Sequence, residues 1–294
     1  MKKIRECCFV LIAAALYGIM PALIKNAYYY GANGFNVTFY MAALSVPVYL
    51  IIILVCKYPL IFPKKKIGQC AIAGLADMGT FLLLYLSYAY IPVGVATMLN
   101  FIYPVTVALA MHFLFGDRFG KMKVWALAVY LIGLALLYGG DLSGGWQGFV
   151  LAVLSGLSYT VHAVYLDKTG LSEENVYTVG LYKTIVVAVF TGSAGILMKV
   201  PMVITGWEGW NAILICTILC RVVSGTLVLI GIRGLGAFLP SVLSTTEPVI
   251  ALLTGWLVLG ETVSKIQGLG IALILMAILL IIFSDWNHSG DLET

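Results

Sequence analysis

The sequence predicts an all-α integral membrane protein with ten transmembrane helices in two inverted five-helix repeats. Only 10% of the 294 residues are charged and 62% are hydrophobic, whereas a soluble domain carries about 25% charged residues. Residues 27–56 and 78–116 contain no Asp, Glu, Lys or Arg, and about 20 apolar residues suffice to cross a bilayer. The third observation is an internal repeat of five spans, which is described below.

The apolar segments are expected to be helices, because in lipid each span must satisfy its own backbone hydrogen-bonding groups. Short breaks such as residues 90–94, Tyr-Ile-Pro-Val-Gly, separate one span from the next. The ten spans are predicted near residues 7–25, 35–56, 67–89, 93–115, 122–140, 147–166, 177–198, 211–232, 237–258 and 265–284.

The basic residues of the loops predict the orientation of the chain. Of the 17 Lys and Arg residues, twelve fall in loops on the side of the N-terminus and three on the opposite side. Cytoplasmic loops carry the excess of Lys and Arg, so both termini of this multi-pass protein are expected in the cytoplasm, with the cytoplasmic membrane as its location. The net charge of +4 then faces anionic lipid, and no nucleic-acid partner is predicted.

The second half of the chain repeats the first at a constant shift of 144 residues. The predicted repeats are residues 1–141 and 142–294. Each holds five spans, an odd number, so the second copy enters the membrane from the other side. Such inverted repeats are typical of secondary transporters. The matching positions include Pro104 with Pro248, Gly116 with Gly260, Asp117 with Glu261 and Lys121 with Lys265.

Residues 241–261 read SVLSTTEPVIALLTGWLVLGE. This run resembles the second-repeat signature of the drug/metabolite transporter superfamily, and more closely that of its ten-helix, EamA-type branch. The resemblance covers nearly the whole chain, with two departures: Tyr17 precedes Gly18 where a Trp is more usual, and Asp117 ends the first copy of the Gly-acid pair instead of Glu. It implies a transporter rather than an enzyme, with the fifth and tenth helices at the periphery.

Three ionisable residues are predicted near the middle of spans, where a charge costs about 2.5–3.5 kcal/mol on insertion scales. They are Asp77, Arg221 and Glu247, and the repeat places Asp77 and Arg221 at equivalent positions. Two interpretations stay open: Arg221 pairs internally with one of the carboxylates, or the charges face a central cavity and contact substrate or protons. Lys183 lies closer to a membrane surface and is expected to extend its ammonium group to the interface.

Helical spacing and the resemblance predict which side chains line that cavity. Pro104 and Pro248 each remove a helical hydrogen bond, so both are predicted to be hinges. The candidate substrate-binding residues are Tyr17, Asp77, Phe81, Tyr88, Asn100, Tyr103, Tyr159, His162, Arg221, Ser244 and Glu247.

These residues favour secondary transport of a small polar or amphipathic metabolite, such as an amino acid, by alternating access. The sequence holds no nucleotide-binding fingerprint, metal-ligand cluster or catalytic nucleophile, so neither a cofactor nor a metal is expected. The expected partners are a small-molecule substrate and the lipid bilayer, with protons carried by Asp77 or Glu247; a homodimer stays open. One alternative is a carrier or exporter of organic cations or drugs, since aromatic faces and a carboxylate favour quaternary amines. Another is a membrane enzyme or lipid-handling protein.

Overall fold

The computed structural model describes residues 2–117, 120–138, 144–250, 252 and 264–290, and its regular elements there are all helices. The first half contains α1 Lys2–Tyr29, α2 Gly34–Val55, α3 Lys64–Ser87, α4 Val93–Asn100, α5 Tyr103–Phe115 and α6 Lys121–Tyr138. The second half contains α7 Trp146–Lys168, α8 Val176–Leu197, α9 Gly206–Ile215, α10 Gly225–Leu235, α11 Phe238–Leu243 and α12 Lys265–Gly290. A π-helix, Cys216–Ser224, joins α9 to α10, and 3₁₀ turns occupy Leu171–Glu173 and Ser244–Thr246.

The predicted all-α membrane fold is confirmed. Within the described ranges, eight helical segments are long and apolar enough to cross a membrane. Helix α6 and helix α11 stand at the two other predicted span positions. Most of the ninth span beyond Ile250, including Gly260 and Glu261, lies outside the described residues.

Helix packing follows the two-fold relation that an inverted repeat requires. Helix α3 packs against α7, and its repeat counterpart, the continuous segment from α9 to α10, packs against α1, the counterpart of α7. Helices α2 and α8 are counterparts that pack on each other, and so are α6 and α12. The predicted boundary between residues 141 and 142 falls in a stretch that the structure does not describe.

The fourth span is broken between α4 and α5, just before Pro104. Proline cannot donate to the carbonyl four residues earlier, which here belongs to Asn100. The next carbonyl, of Phe101, accepts a hydrogen bond of 2.8 Å from the Tyr130 hydroxyl. A Cβ atom on Gly156 would lie 2.5 Å from the Asn100 oxygen, so α7 approaches the break as closely as its backbone allows. Neighbouring helices therefore hold the break in place.

Helices α6 and α12 meet at glycines, as small residues allow membrane helices to do. A Cβ on Gly270 would lie 2.6 Å from the backbone nitrogen of Leu137, and one on Gly133 would lie 2.9 Å from the Leu273 Cβ. No described residue of either helix lines the central cavity. Both helices thus occupy the peripheral place that the resemblance implies.

Contacts between the two halves occur at both ends of the bundle. On the N-terminal side, Lys66 forms a 3.3 Å ion pair with Glu174, and the Thr178 hydroxyl donates to the Pro59 carbonyl at 2.6 Å. On the opposite side, the Tyr40 hydroxyl donates to the Met202 carbonyl at 2.6 Å. The helices are therefore tied together both above and below the middle of the membrane.

Candidate functional site

A central cavity of about 80 Å³ lies between the two repeats. Its walls come from α1, α3, α7, α8 and α10, together with residues at the two helix breaks. Nine of the eleven predicted residues line it: Tyr17, Asp77, Phe81, Asn100, Tyr103, Tyr159, His162, Ser244 and Glu247.

The other two predicted residues lie elsewhere. Helix α3 ends at Ser87, so Tyr88 sits at its C-terminal cap, beyond the cavity, with its hydroxyl 3.5 Å from the Thr97 hydroxyl. Arg221 lines a smaller adjoining cavity instead. Among the residues that were not predicted, Lys183 and Thr80 supply polar atoms to the central cavity, and Leu166 and Leu229 supply apolar surface.

Asp77 is the centre of a buried charge network. Its Oδ2 accepts a hydrogen bond of 2.8 Å from Arg221 Nη2. Its Oδ1 lies 3.5 Å from the Lys183 ammonium and 3.7 Å from His162 Nε2. One carboxylate is thus shared by two cations that arrive from different helices, and the internal pair between Asp77 and Arg221 is formed.

The interfacial interpretation of Lys183 is wrong. Its side chain is only 13% exposed, and its Nζ lies 2.6 Å from His162 Nε2. The ammonium group donates in this contact, so the Nε2 atom of His162 accepts. Two neighbours in the sequence could have indicated the inward direction: Thr184 is polar and Gly180 is small, and both lie on the packed face of α8. The apolar periodicity alone did not indicate it, because a lysine near the end of a span can also extend to the membrane surface.

Arg221 is presented by the π-helix. The Ser224 hydroxyl donates to the carbonyl of Leu219, five residues earlier, at 2.9 Å, which agrees with the wider π turn. The equivalent stretch of α3, around Asp77, is a regular α-helix. π turns inside α-helices occur frequently at functional sites. The two repeats therefore differ in helix type at the equivalent positions of Asp77 and Arg221, which form the ion pair.

Aromatic rings form much of the cavity wall. The ring centroids of Tyr103 and Tyr159 are 4.1 Å apart, and those of Tyr17 and Phe81 are 6.3 Å apart. The Arg221 guanidinium carbon lies 5.6 Å from the Phe81 ring centre, within the range of a cation–π interaction.

Glu247 brings a carboxyl group and Lys183 an amino group to the same cavity. Within the described part of the chain, Glu247 has no ion-pair partner. Nearby, the Asn100 amide donates to the Ser155 hydroxyl at 2.8 Å. The site therefore offers an amino group, a polar amide and, within the described residues, a carboxyl group without an ion-pair partner, all against aromatic walls.

The two predicted hinges lie at the helix breaks beside this cavity. Pro104 is in the first turn of α5, and Pro248 is buried just after the 3₁₀ turn Ser244–Thr246. The breaks fall at equivalent places in the two repeats, and a hinge role for the prolines stays a prediction.

Comparison with known proteins gives the chain a family. YcbK of Bacillus subtilis, an uncharacterized transporter, is 28% identical over 91% of both chains. RhtA of Escherichia coli, a threonine/homoserine exporter, is 28% identical over 74% of this chain and 71% of its own length. YedA of Escherichia coli, an uncharacterized inner membrane transporter, is 24% identical over 74% of this chain and 72% of its own.

A protein crystal structure superposes with a TM-score of 0.80 over 94% of this chain and 97% of that one. Its sequence identity of 19% makes it evidence for the fold alone. The EamA-like transporter family model matches residues 4–139 and 146–283. Taken with the helical membrane fold, this match shows that the chain is a multi-pass membrane transporter and belongs to the EamA-like transporter family.

Proposed function

We propose that this transporter moves a small zwitterionic metabolite, an amino acid or a related compound, by alternating access. The observation that carries the proposal is that Lys183 and Glu247 line one cavity with aromatic walls. A zwitterion presents a carboxylate and an ammonium group, and each would meet an opposite charge there.

The contacts of Arg221 support Lys183 as the cation that would bind the substrate carboxylate. Arg221 is bound to Asp77 at 2.8 Å and does not line the central cavity. Lys183 does line it, and its Nζ stands further from Asp77, at 3.5 Å. We therefore assign recognition of the substrate carboxylate to Lys183 and recognition of the substrate ammonium group to Glu247. Tyr103 and Tyr159 line the same cavity as Glu247.

The size of the cavity supports a mechanism in which the helices move. Its volume of about 80 Å³ is well below the roughly 300–1,000 Å³ of ligand pockets. Contacts such as Lys66 with Glu174 and Tyr40 with Met202 join the halves at the two ends of the bundle. Opening one set of contacts at a time would expose the cavity to one side of the membrane, which is what two inverted repeats permit.

The remaining parts of the proposal concern energy and placement. Transport would be driven by a gradient, with Glu247 or Asp77 as the proton carrier if protons are coupled. The excess of basic residues in the N-terminal-side loops favours a cytoplasmic membrane location with both termini in the cytoplasm. A homodimer is compatible with this arrangement and is not required by it.

A second candidate substrate class is organic cations. Arg221 is held in an internal pair, as a carrier of cations would need, and Glu247 with aromatic rings suits a quaternary amine. The ammonium group of Lys183 in the same cavity favours the zwitterion instead.

Counterflow in proteoliposomes separates the two classes. Purified protein is reconstituted with unlabelled compound inside, and labelled threonine or a labelled quaternary amine is added outside. Threonine is the first probe because one relative is named for its export. Uptake of amino acids that Lys183→Met weakens by about tenfold or more supports the proposal. Uptake of quaternary amines alone, unchanged in Lys183→Met, would overturn it in favour of the cation carrier.

A further inference from the structure

A second, smaller cavity of about 30 Å³ lies beside the charge network. It is bounded by α1, α2, α3, α8, the π-helix and α10, and it shares Tyr17, Asp77 and Lys183, but not Glu247, with the central cavity. The polar side chains on its wall include Tyr49, Lys183, Thr184, Arg221 and Thr226.

Two polar atoms on this wall lack hydrogen-bond partners among the described residues. They are Arg221 Nε and Thr226 Oγ1, the latter close to the Tyr49 hydroxyl but without a well-formed hydrogen bond to it. Both residues are more than nine-tenths buried, at 8% and 7% exposure. A buried donor without a partner destabilises the folded protein, and more so when it is charged. Both atoms can donate, so the missing partner is an acceptor.

The charges around the cavity do not balance. Arg221 and Lys183 each carry a positive charge, and Asp77 is the one carboxylate that pairs with them in the described part of the chain. His162 adds no negative charge, and its Nε2 atom accepts from Lys183. An uncompensated buried charge is strongly destabilising. A water molecule would satisfy the two donors, whereas an anion would satisfy them and also cancel the excess positive charge.

We propose that this cavity binds a small monovalent anion between Arg221, Lys183 and Thr226. A water-sized group needs about 10–15 Å³ of such space, so a cavity of about 30 Å³ accepts a halide ion or one carboxylate group. It is too small for a whole metabolite. The anion is therefore either a free halide or the carboxylate end of a larger molecule in the central cavity.

The test uses thermal unfolding of the purified full-length protein in detergent micelles. Sodium methanesulfonate, which carries no carboxylate, is replaced stepwise by sodium bromide, or in a second arm by sodium acetate, at constant ionic strength. We expect a saturable rise in the midpoint temperature. Thr226→Val keeps the shape and removes the hydroxyl donor, so it should weaken the apparent affinity by about tenfold. Lys183→Met removes the excess charge and leaves Asp77 paired with Arg221, so it should abolish the effect.

Thr191→Val is the matched control. Thr191 is also fully buried, but its hydroxyl donates to the Val187 carbonyl at 2.6 Å and lies away from this cavity. Stabilisation by bromide that depends on Thr226 and Lys183 identifies a free halide. The same dependence with acetate alone identifies a carboxylate. Equal responses in Thr226→Val, Lys183→Met and Thr191→Val would overturn the site. Because no transport is measured, a response to bromide is independent of the proposed substrate, whereas a response to acetate alone rests on the proposed carboxylate contact of Lys183.

Discussion

At the scale of single residues, Asp77 determines how the charges in the membrane are arranged. One of its oxygens binds Arg221 and the other faces Lys183. Charges at this depth persist only when they are paired or face a cavity, and removing one partner of a buried pair typically costs about 3–5 kcal/mol. The network therefore contributes to folding as well as to the site.

Arg221→Ala should reduce the stability of the folded protein. Asp77 would keep only the more distant Lys183, and we expect a loss of about 3 kcal/mol. Asp77→Asn and the double variant complete a double-mutant cycle, in which the loss in the double variant should fall short of the sum of the single losses by about 0.5–3 kcal/mol, because both single variants remove the same contact. Thermal unfolding followed by size-exclusion chromatography in detergent measures all three variants. Losses that simply add in the double variant would show that the pair does not stabilise the fold.

Glu247→Gln should impair transport without a comparable loss of folded protein. Glu247 lines the cavity and has no ion-pair partner in the described part of the chain. Losing a charged hydrogen bond to the substrate ammonium weakens binding by about tenfold or more. Counterflow of a labelled amino acid reports this, with the exposed Glu208→Gln as the control. Normal exchange by Glu247→Gln would exclude the assigned role.

At the scale of elements, the helix breaks were partly predictable from sequence. Pro104 and Pro248 each remove a helical hydrogen bond, and the helix breaks lie beside both prolines. The π turn around Arg221 was not predictable, because its residues also suit a regular α-helix and only the packed neighbours select the wider turn. The prediction of where the Lys183 side chain points was wrong for a similar reason, because its position on the helix allows it to face either the lipid headgroups or the protein interior.

Gly156→Ala tests whether the break in the fourth span depends on close packing. The added Cβ would lie 2.5 Å from the Asn100 carbonyl oxygen, so α7 would have to move away from the break. Overpacking of this kind costs about 1–3 kcal/mol, and thermal unfolding should show it. Gly68→Ala on α3 is the control, because no atom lies within 4 Å of its added Cβ. Equal stabilities for the two variants would contradict this packing.

At the scale of the whole molecule, the internal repeat predicted how the helices pack. A constant shift of 144 residues implied paired helices, and the packing of α3 on α7 and of the α9–α10 segment on α1 follows that relation. Helical spacing, together with the family resemblance, brought nine candidate residues to one cavity. It failed for Tyr88, because helical spacing gives the face of a residue but not the depth at which the helix ends.

The proposed orientation predicts which loops reagents can reach. Cys56 is exposed at the end of α2 on the N-terminal side, and Lys199 is exposed at the opposite end of the bundle. In intact cells, an impermeant maleimide should label Lys199→Cys in a background without native cysteines. It should label a variant that retains Cys56 alone only after permeabilisation. The reverse pattern would place the termini outside the cytoplasm.

The central claim is that one cavity recognises both charges of a zwitterion, and inhibition of threonine counterflow by threonine analogues tests it most directly. Threonine methyl ester lacks the carboxylate that Lys183 would bind, and N-acetylthreonine lacks the ammonium group that Glu247 would bind. The account predicts that unlabelled threonine competes at least about tenfold better than either analogue. It also predicts that in Lys183→Met the difference in inhibition between threonine and its methyl ester becomes smaller, while the difference between threonine and N-acetylthreonine is kept. In Glu247→Gln, only the difference between threonine and N-acetylthreonine should become smaller. Equal competition by threonine and its methyl ester in the unmodified protein would contradict it.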